Sequence, residues 1–107
     1  MVYEVIISES AERDIDEILT YMTVKLANPQ AAIDWADELE IRYSELSKYP
    51  LMYGKSANET LGRIGYRCFV VKNYIVFYRV DEMERKVIIL RIFYGRQDYE
   101  KEFLDDL

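Results

Sequence analysis

The amino-acid sequence predicts an α+β domain, in which an N-terminal strand and an antiparallel helical hairpin pack on a mainly antiparallel sheet completed by a three-stranded meander. Three observations carry this. Residues 68–71, 74–80 and 87–94 are apolar runs rich in β-branched and aromatic side chains, separated by short polar breaks at Lys72-Asn73 and residues 81–86. Two longer stretches ahead of them, opening near Ser8 and at Asn28, repeat their apolar residues with a 3.6-residue period. A short run rich in Val, Ile and Tyr, residues 2–7, begins the chain.

Each element has a local reason. Ser8 or Ser10 caps the first helix, Glu9 and Glu12 suit its positive end, and Ala11, Ile15, Ile18, Leu19, Met22 and Leu26 form its inner stripe. Its outward face carries Glu12, Arg13, Asp14, Asp16 and Glu17, expected as solvated charges. Asn28 caps the second helix, and Pro29 takes the first helical position, where a missing N–H costs nothing. That helix runs to about Tyr49 with Ala32, Ala36, Leu39, Tyr43 and Leu46 inward. Trp35 and Tyr43 read either as packing residues or as aromatics for a partner. Pro50 stops the helix, and the Gly, Ser and Asn content of residues 51–62 predicts a loop. In the meander, Lys72-Asn73 is a two-residue turn in which Asn73 tolerates positive φ. The last residues, 96–107, place Tyr99, Phe103, Leu104 and Leu107 at a spacing that suits a short terminal helix docked on the domain, or a tail that orders on a partner.

Composition bounds the function. The chain has 107 residues, which fits one domain over 1–107 burying roughly 65% of its unfolded surface. Half of the residues are hydrophobic and 32% charged, with four Gly and two Pro, which favours a folded domain. No apolar run approaches the ~20 residues of a membrane span and no signal-peptide pattern opens the chain, so a cytoplasmic location and no membrane partner are expected. The single cysteine, Cys68, excludes an intramolecular disulfide and reads as a buried thiol. With no histidine, the commonest general base and the commonest metal ligand are missing. The acidic residues lack EF-hand spacing, so neither a metal nor another cofactor is expected.

The net charge of −6 conceals an asymmetry. Residues 1–62 carry −7, residues 63–101 carry +4 and the last six −3. Cations therefore gather along the sheet: Arg67, Arg79, Arg91 and Arg96 stand in or beside the strands, with Lys55 in the loop before them. Alternation puts Arg79 on a face with Ile75 and Phe77, and Arg91 on one with Val87, Ile89 and Phe93. An unpaired guanidinium on an apolar face is costly, so each pairs with a carboxylate or opens to a solvent-filled surface that holds phosphate. Lys55 either borders that surface or belongs to a linker.

The element order, together with S-x-S-A-E-R-D-I-x-E-I at residues 8–18, L-x-x-Y-P-x-x-Y-G at 46–54, G-Y-R at 65–67, N-Y-I-V-F-Y-R-V at 73–80 and I-L-R-I-F-Y-G-R-Q-D at 89–98, resembles the RelE/ParE superfamily of bacterial toxins. The resemblance covers nearly the whole chain. It implies the toxin of a type II toxin–antitoxin module, held by a cognate antitoxin in a hetero-oligomer. RelE-like members cleave mRNA in the ribosome, and ParE-like members poison DNA gyrase without catalysing a reaction.

In the nuclease reading a ribose 2′-OH attacks the adjacent phosphate, which requires a base, a proton donor and cations for the developing charge. The resemblance then assigns Arg67 and Arg96 to the phosphate, with Tyr99 as base or base-stacking ring, and gives Lys55, Arg79 and Arg91 to RNA or target binding. Tyr99 has the alternative of capping the core. This chain departs from the basic nuclease members: it has no histidine, Lys55 stands alone and its balance is acidic. The R-x-F-Y-G-R-Q-D ending and the two long helices look more like the ParE side. DNA gyrase is accordingly the first expectation for a target and the ribosome with mRNA the second.

Overall fold

The computed structural model describes residues 2–95 together with Lys101 and Phe103. In chain order the elements are β1 (Glu4–Ile7), α1 (Glu9–Thr20) prolonged by a π-helical turn (Tyr21–Lys25), α2 (Pro29–Lys48), α3 (Glu59–Arg63), β2 (Arg67–Val71), β3 (Tyr74–Asp81) and β4 (Lys86–Tyr94). The sheet order is β1-β4-β3-β2, with β1 parallel to β4 and the other pairs antiparallel. The α+β architecture is the one expected. Among the described residues no helix is long and apolar enough to cross a membrane.

Ser8 is the cap of α1: its hydroxyl oxygen accepts the Ala11 N–H at 3.1 Å and its O–H donates to Leu90 O at 3.0 Å. The predicted stripe holds at Ala11, Ile18 and Met22, which are buried, and fails at Leu26. The cause is the π-helical turn, in which Leu26 N–H donates to Tyr21 O, five residues back, instead of four. One extra residue per turn rotates the succeeding side chains by about 100°, and Leu26 swings out to 53% exposure. Ala27 at φ 47° then reverses the chain, and the Asn28 side chain accepts from Ala31 N–H at 3.1 Å to start α2. Trp35 and Tyr43 are packing residues: Trp35 is fully buried, edge-on to Tyr74, and donates from Nε1 to Val71 O at 3.3 Å.

The stretch expected as a loop contains α3. Asn58 caps it by accepting from Leu61 N–H at 3.0 Å, and Leu61 is buried. Five residues with one buried apolar side chain carry no periodicity to read. Gly65, at φ 92°, lets Tyr66 N–H return to Leu61 O at 3.0 Å and turns the chain into β2. The β2–β3 turn has the predicted length, with Val71 opposite Tyr74, but Lys72 at φ 57° holds the left-handed position, not Asn73.

The sheet separates two cores. Toward α1 and α2 lie Phe69, Val71, Val76, Tyr78, Val87, Ile89 and Ile92 with Trp35, Leu39 and Leu46. On the other face Phe77 and Phe93 are covered by Leu61 and Phe103. Phe103 thus docks on the domain, with ring centroids 5.3 Å from Phe77 and 5.9 Å from Phe93. A β-bulge breaks the alternation of β4: Phe77 pairs with Arg91 but Tyr78 with Ile89, so Leu90 is supernumerary. Arg91 therefore shares its face with Phe93, whose ring its guanidinium overlies at 4.6 Å, and not with Val87 and Ile89 as strict alternation implies.

Asp14, expected among the solvated charges, is 8% exposed. β1 pairs only as far as Ile89, so among the described residues the outer edge of β4 beyond it has no strand partner. Asp14 fills that position. Its Oδ2 accepts from Ile92 N–H at 2.8 Å and from Arg91 Nε at 2.8 Å, and its Oδ1 accepts from Arg91 Nη2 at 3.2 Å.

Asp14→Ala leaves a half-buried guanidinium without this carboxylate and a buried edge N–H without an acceptor, and is expected to cost about 3 kcal/mol in urea unfolding. Asp14→Asn keeps an oxygen for Ile92 and costs less; equal stability of wild type and Asp14→Ala refutes the assignment. The Tyr43 hydroxyl is buried with no hydrogen-bond partner among the described residues. Tyr43→Phe is therefore expected to hold stability level or raise it by about 1 kcal/mol in the same measurement.

Candidate functional site

Residues 53–56 fold back along the start of β2. Ser56 N–H donates to Tyr66 O at 2.8 Å and Cys68 N–H to Gly54 O at 3.3 Å, which sets Lys55 opposite Arg67 in an antiparallel bridge. Arg67 Nη1 donates to Tyr53 O at 2.6 Å. From α2, Arg42 donates through Nη1 to Tyr53 Oη at 3.0 Å and through Nε to Glu38 at 3.0 Å, and its guanidinium covers the Tyr53 and Phe69 rings. Those rings stack at 4.7 Å. Tyr78 closes the base of the cluster by donating its hydroxyl to Pro50 O at 3.2 Å. Arg42 thus covers the aromatic stack, Arg67 is tied to the Tyr53 carbonyl, and the exposed Lys55 stands across the bridge from Arg67, where the two cations can hold a carboxylate or a phosphate.

The other candidates lie elsewhere. Arg79 is exposed on the face opposite α1 and α2, with Ile75 and Phe77 as expected, and has no ion pair among the described residues. Arg91 is paired with Asp14, the structural alternative that its apolar setting left open. Arg96 and Tyr99 lie outside the described residues. Lys55 and Arg67 are therefore brought together, while Arg79 and Arg91 are held apart from them.

Sequence reasoning missed Asp14, Arg42 and Tyr53. A faint signal was present: Asp14 falls between Ala11 and Ile18, and Arg42 between Leu39 and Leu46, each at the i, i+3, i+7 spacing of a buried stripe.

The protonation of the buried groups moves one way. Burial pushes the Tyr78 hydroxyl up to about 12 and raises Tyr74, and partial burial raises the Cys68 thiol, which is half-buried rather than buried as expected. Burial, aided by the Glu40 carboxylate, also raises Tyr43. These groups are held neutral, the reverse of what an activated base or thiolate needs.

The family described as the ParE toxin of the type II toxin–antitoxin system, parDE, matches residues 5–99. The chain belongs to this family. As a ParE-family toxin it shares its fold with several solved structures. The toxin–antitoxin complex RelBE2 of Mycobacterium tuberculosis is 26% identical at a TM-score of 0.63, over 88% of this chain and 99% of that one. The chromosomal ParDE system of P. aeruginosa is 20% identical at a TM-score of 0.67, over 87% and 96%. A double mutant of E. coli toxin RelE in the free state is 12% identical at a TM-score of 0.64 over the full length of both chains. No curated protein matches the chain.

The tyrosine shifts fix an alkaline limit. Tyr78 ionises near 10 when unfolded and about 12 when folded, so its contribution is whole below pH 10 and is lost as pH rises from 10 to 12. Urea unfolding is expected to weaken over this window by about 1.4 kcal/mol per pH unit through the Tyr78 hydroxyl. Tyr78→Phe should flatten the decline, and an unchanged slope in that variant counts against the assignment.

Proposed function

We propose that the chain is the growth-inhibiting toxin of a type II toxin–antitoxin module, neutralised by a cognate antitoxin in a hetero-oligomer, and that it acts by ParE-like inhibition of DNA gyrase. The match of residues 5–99 to the ParE family carries this reading. The disposition of charge supports it. Glu12, Asp16, Glu17, Asp34, Asp37 and Glu40 are exposed on the helical hairpin, a surface that repels an RNA polyanion and suits a protein partner. The cations are divided between two faces, and Arg91 is engaged by Asp14, which suits binding better than concerted phosphate cleavage.

A second reading is a RelE-like, ribosome-dependent mRNA endoribonuclease. Two observations favour it: the 26% identity with the toxin–antitoxin complex RelBE2, and the adjacency of Lys55 and Arg67, two cations within one bridge of each other. In this reading the 2′-OH gives its proton to a base and attacks the adjacent phosphate, the 5′-oxygen of the next nucleotide leaves and takes up a proton as a 2′,3′-cyclic phosphate forms, and Arg67 stabilises the charge gathering on phosphorus.

Measuring supercoiling and protein synthesis side by side after induction separates the two. The gyrase reading expects inhibited supercoiling and trapped cleaved-DNA complexes while early protein synthesis continues. Codon-positioned mRNA cuts that vanish in Arg67→Ala, with supercoiling intact, replace it by the nuclease reading. Unchanged bacterial growth on expression without an antitoxin removes both.

A further inference from the structure

Arg42 stands on α2 between the buried Leu39 and Leu46, where an apolar side chain would complete the stripe, and its own side chain is 25% exposed. Withdrawing a guanidinium from water is costly unless its donors are used. Nε donates to Glu38, one helical turn back, at 3.0 Å, and Nη1 donates to the Tyr53 hydroxyl at 3.0 Å. The Tyr53 ring is held between two planes, stacked on Phe69 at 4.7 Å and covered by the Arg42 guanidinium at 5.8 Å. Packing of α2 does not require a charge at this position, so the use of this one lies in what it holds.

We propose that Arg42 is a positioning residue, which acts through Tyr53 to aim Arg67 and Lys55 at an oxyanion; the proposal rests on the Lys55–Arg67 pair being the anion-holding site of the toxin, whichever target it meets. Tyr53 is bound at both ends. Its hydroxyl is held by Arg42, and its backbone carbonyl accepts from Arg67 Nη1 at 2.6 Å. The second bond uses one donor of Arg67 and sets the plane of its guanidinium, which leaves the others for an anion. Tyr53 lies in neither helix nor strand. Pro50 O is held by the Tyr78 hydroxyl on one side of it and Gly54 O by Cys68 N–H on the other, and between these two ties the side chain of Tyr53 places its carbonyl. The longest helix of the fold thereby controls a loop that carries Lys55 and orients Arg67.

The gain is preorganisation. Arginine and lysine have more rotamer freedom to lose on binding than most side chains, and a guanidinium already fixed in its plane loses less. Ordering one such side chain in advance is worth a factor of roughly two to ten in affinity. Glu38 completes the arrangement, because its carboxylate matches the charge of Arg42 and keeps that guanidinium on Tyr53 instead of on the ligand. An Arg42 that served packing alone would show the opposite pattern on removal: lower stability, with the Lys55–Arg67 pair as effective as before.

Inorganic phosphate is the probe, titrated into the purified full chain at constant ionic strength and followed by the backbone amide signals of residues 55 and 67 in heteronuclear NMR spectra. Thermal unfolding of every variant is measured alongside. Arg67→Ala is expected to abolish the response. Arg42→Ala should weaken phosphate about fivefold, and Tyr53→Phe, which keeps the ring stack and removes only the hydroxyl, about threefold. Because the two residues act in series, the double variant should stay within about twofold of Arg42→Ala alone. Arg42→Lys keeps a donor for the hydroxyl and should return affinity to within about twofold of wild type. Lower melting temperatures in Arg42→Ala and Tyr53→Phe with phosphate affinity unchanged overturn the positioning role and leave the anion site standing. Losses that multiply in the double variant overturn the path through Tyr53. A wild-type chain that responds no more than Arg67→Ala removes the anion site and this proposal together, while growth arrest on expression reports on the toxin reading separately.

Discussion

A buried carboxylate with three donors holds the architecture in place. Asp14 accepts from two nitrogens of Arg91 and from the backbone of Ile92, and so joins the first helix to the last strand. Withdrawing a carboxylate and a guanidinium from water costs several kcal/mol each, a cost offset only when geometry and hydrogen bonding are good. Here both carboxylate oxygens are used, and the guanidinium also lies on the face of Phe93. The constraint arises because β1 has four residues and β4 nine. Where β1 ends, the β4 edge would be left open, and side chains at the start of α1 close it.

The consequences spread outward from that closure. With Ser8 and Asp14 both tied to β4, the direction of α1 across the sheet is set, and α2 follows because Ala27 and Asn28 allow little freedom in the connection. The hairpin then covers one face of the sheet, while α3 and Phe103 cover the other.

Most of the exposed acids lie on the helical hairpin, while Lys55, Arg67, Arg79 and Arg91 belong to the sheet and the loop ahead of it and Arg42 to α2. Among these cations the structure distinguishes tasks that the sequence presents alike. Arg91 is spent on an internal carboxylate, Arg42 on anchoring Tyr53, and Arg67 in part on the Tyr53 carbonyl. Lys55 and Arg79 reach the surface, on opposite sides of the sheet.

Element order, helix starts and strand runs were determined by the sequence itself, because capping, turn chemistry and hydrophobic period are local. Asn28-Pro29, Ser8 and the three β-branched runs act over a few residues each. The asymmetry of charge along the chain was equally plain, since it needs only counting. The tertiary structure decided what depends on distant partners. Asp14 is buried because Arg91, 77 residues away, lies against it. Arg91 faces Phe93 because Leu90 is an added residue in the pairing with β3, and a bulge has no signature in alternation alone. Leu26 is exposed because one π-helical turn rotates it, a choice made by helix packing and not by the period of the stripe. Lys55 meets Arg67 because the loop folds back on β2, which no local rule requires. Local propensity can name the elements, but the partner of a charged side chain is fixed only when two distant elements are in contact.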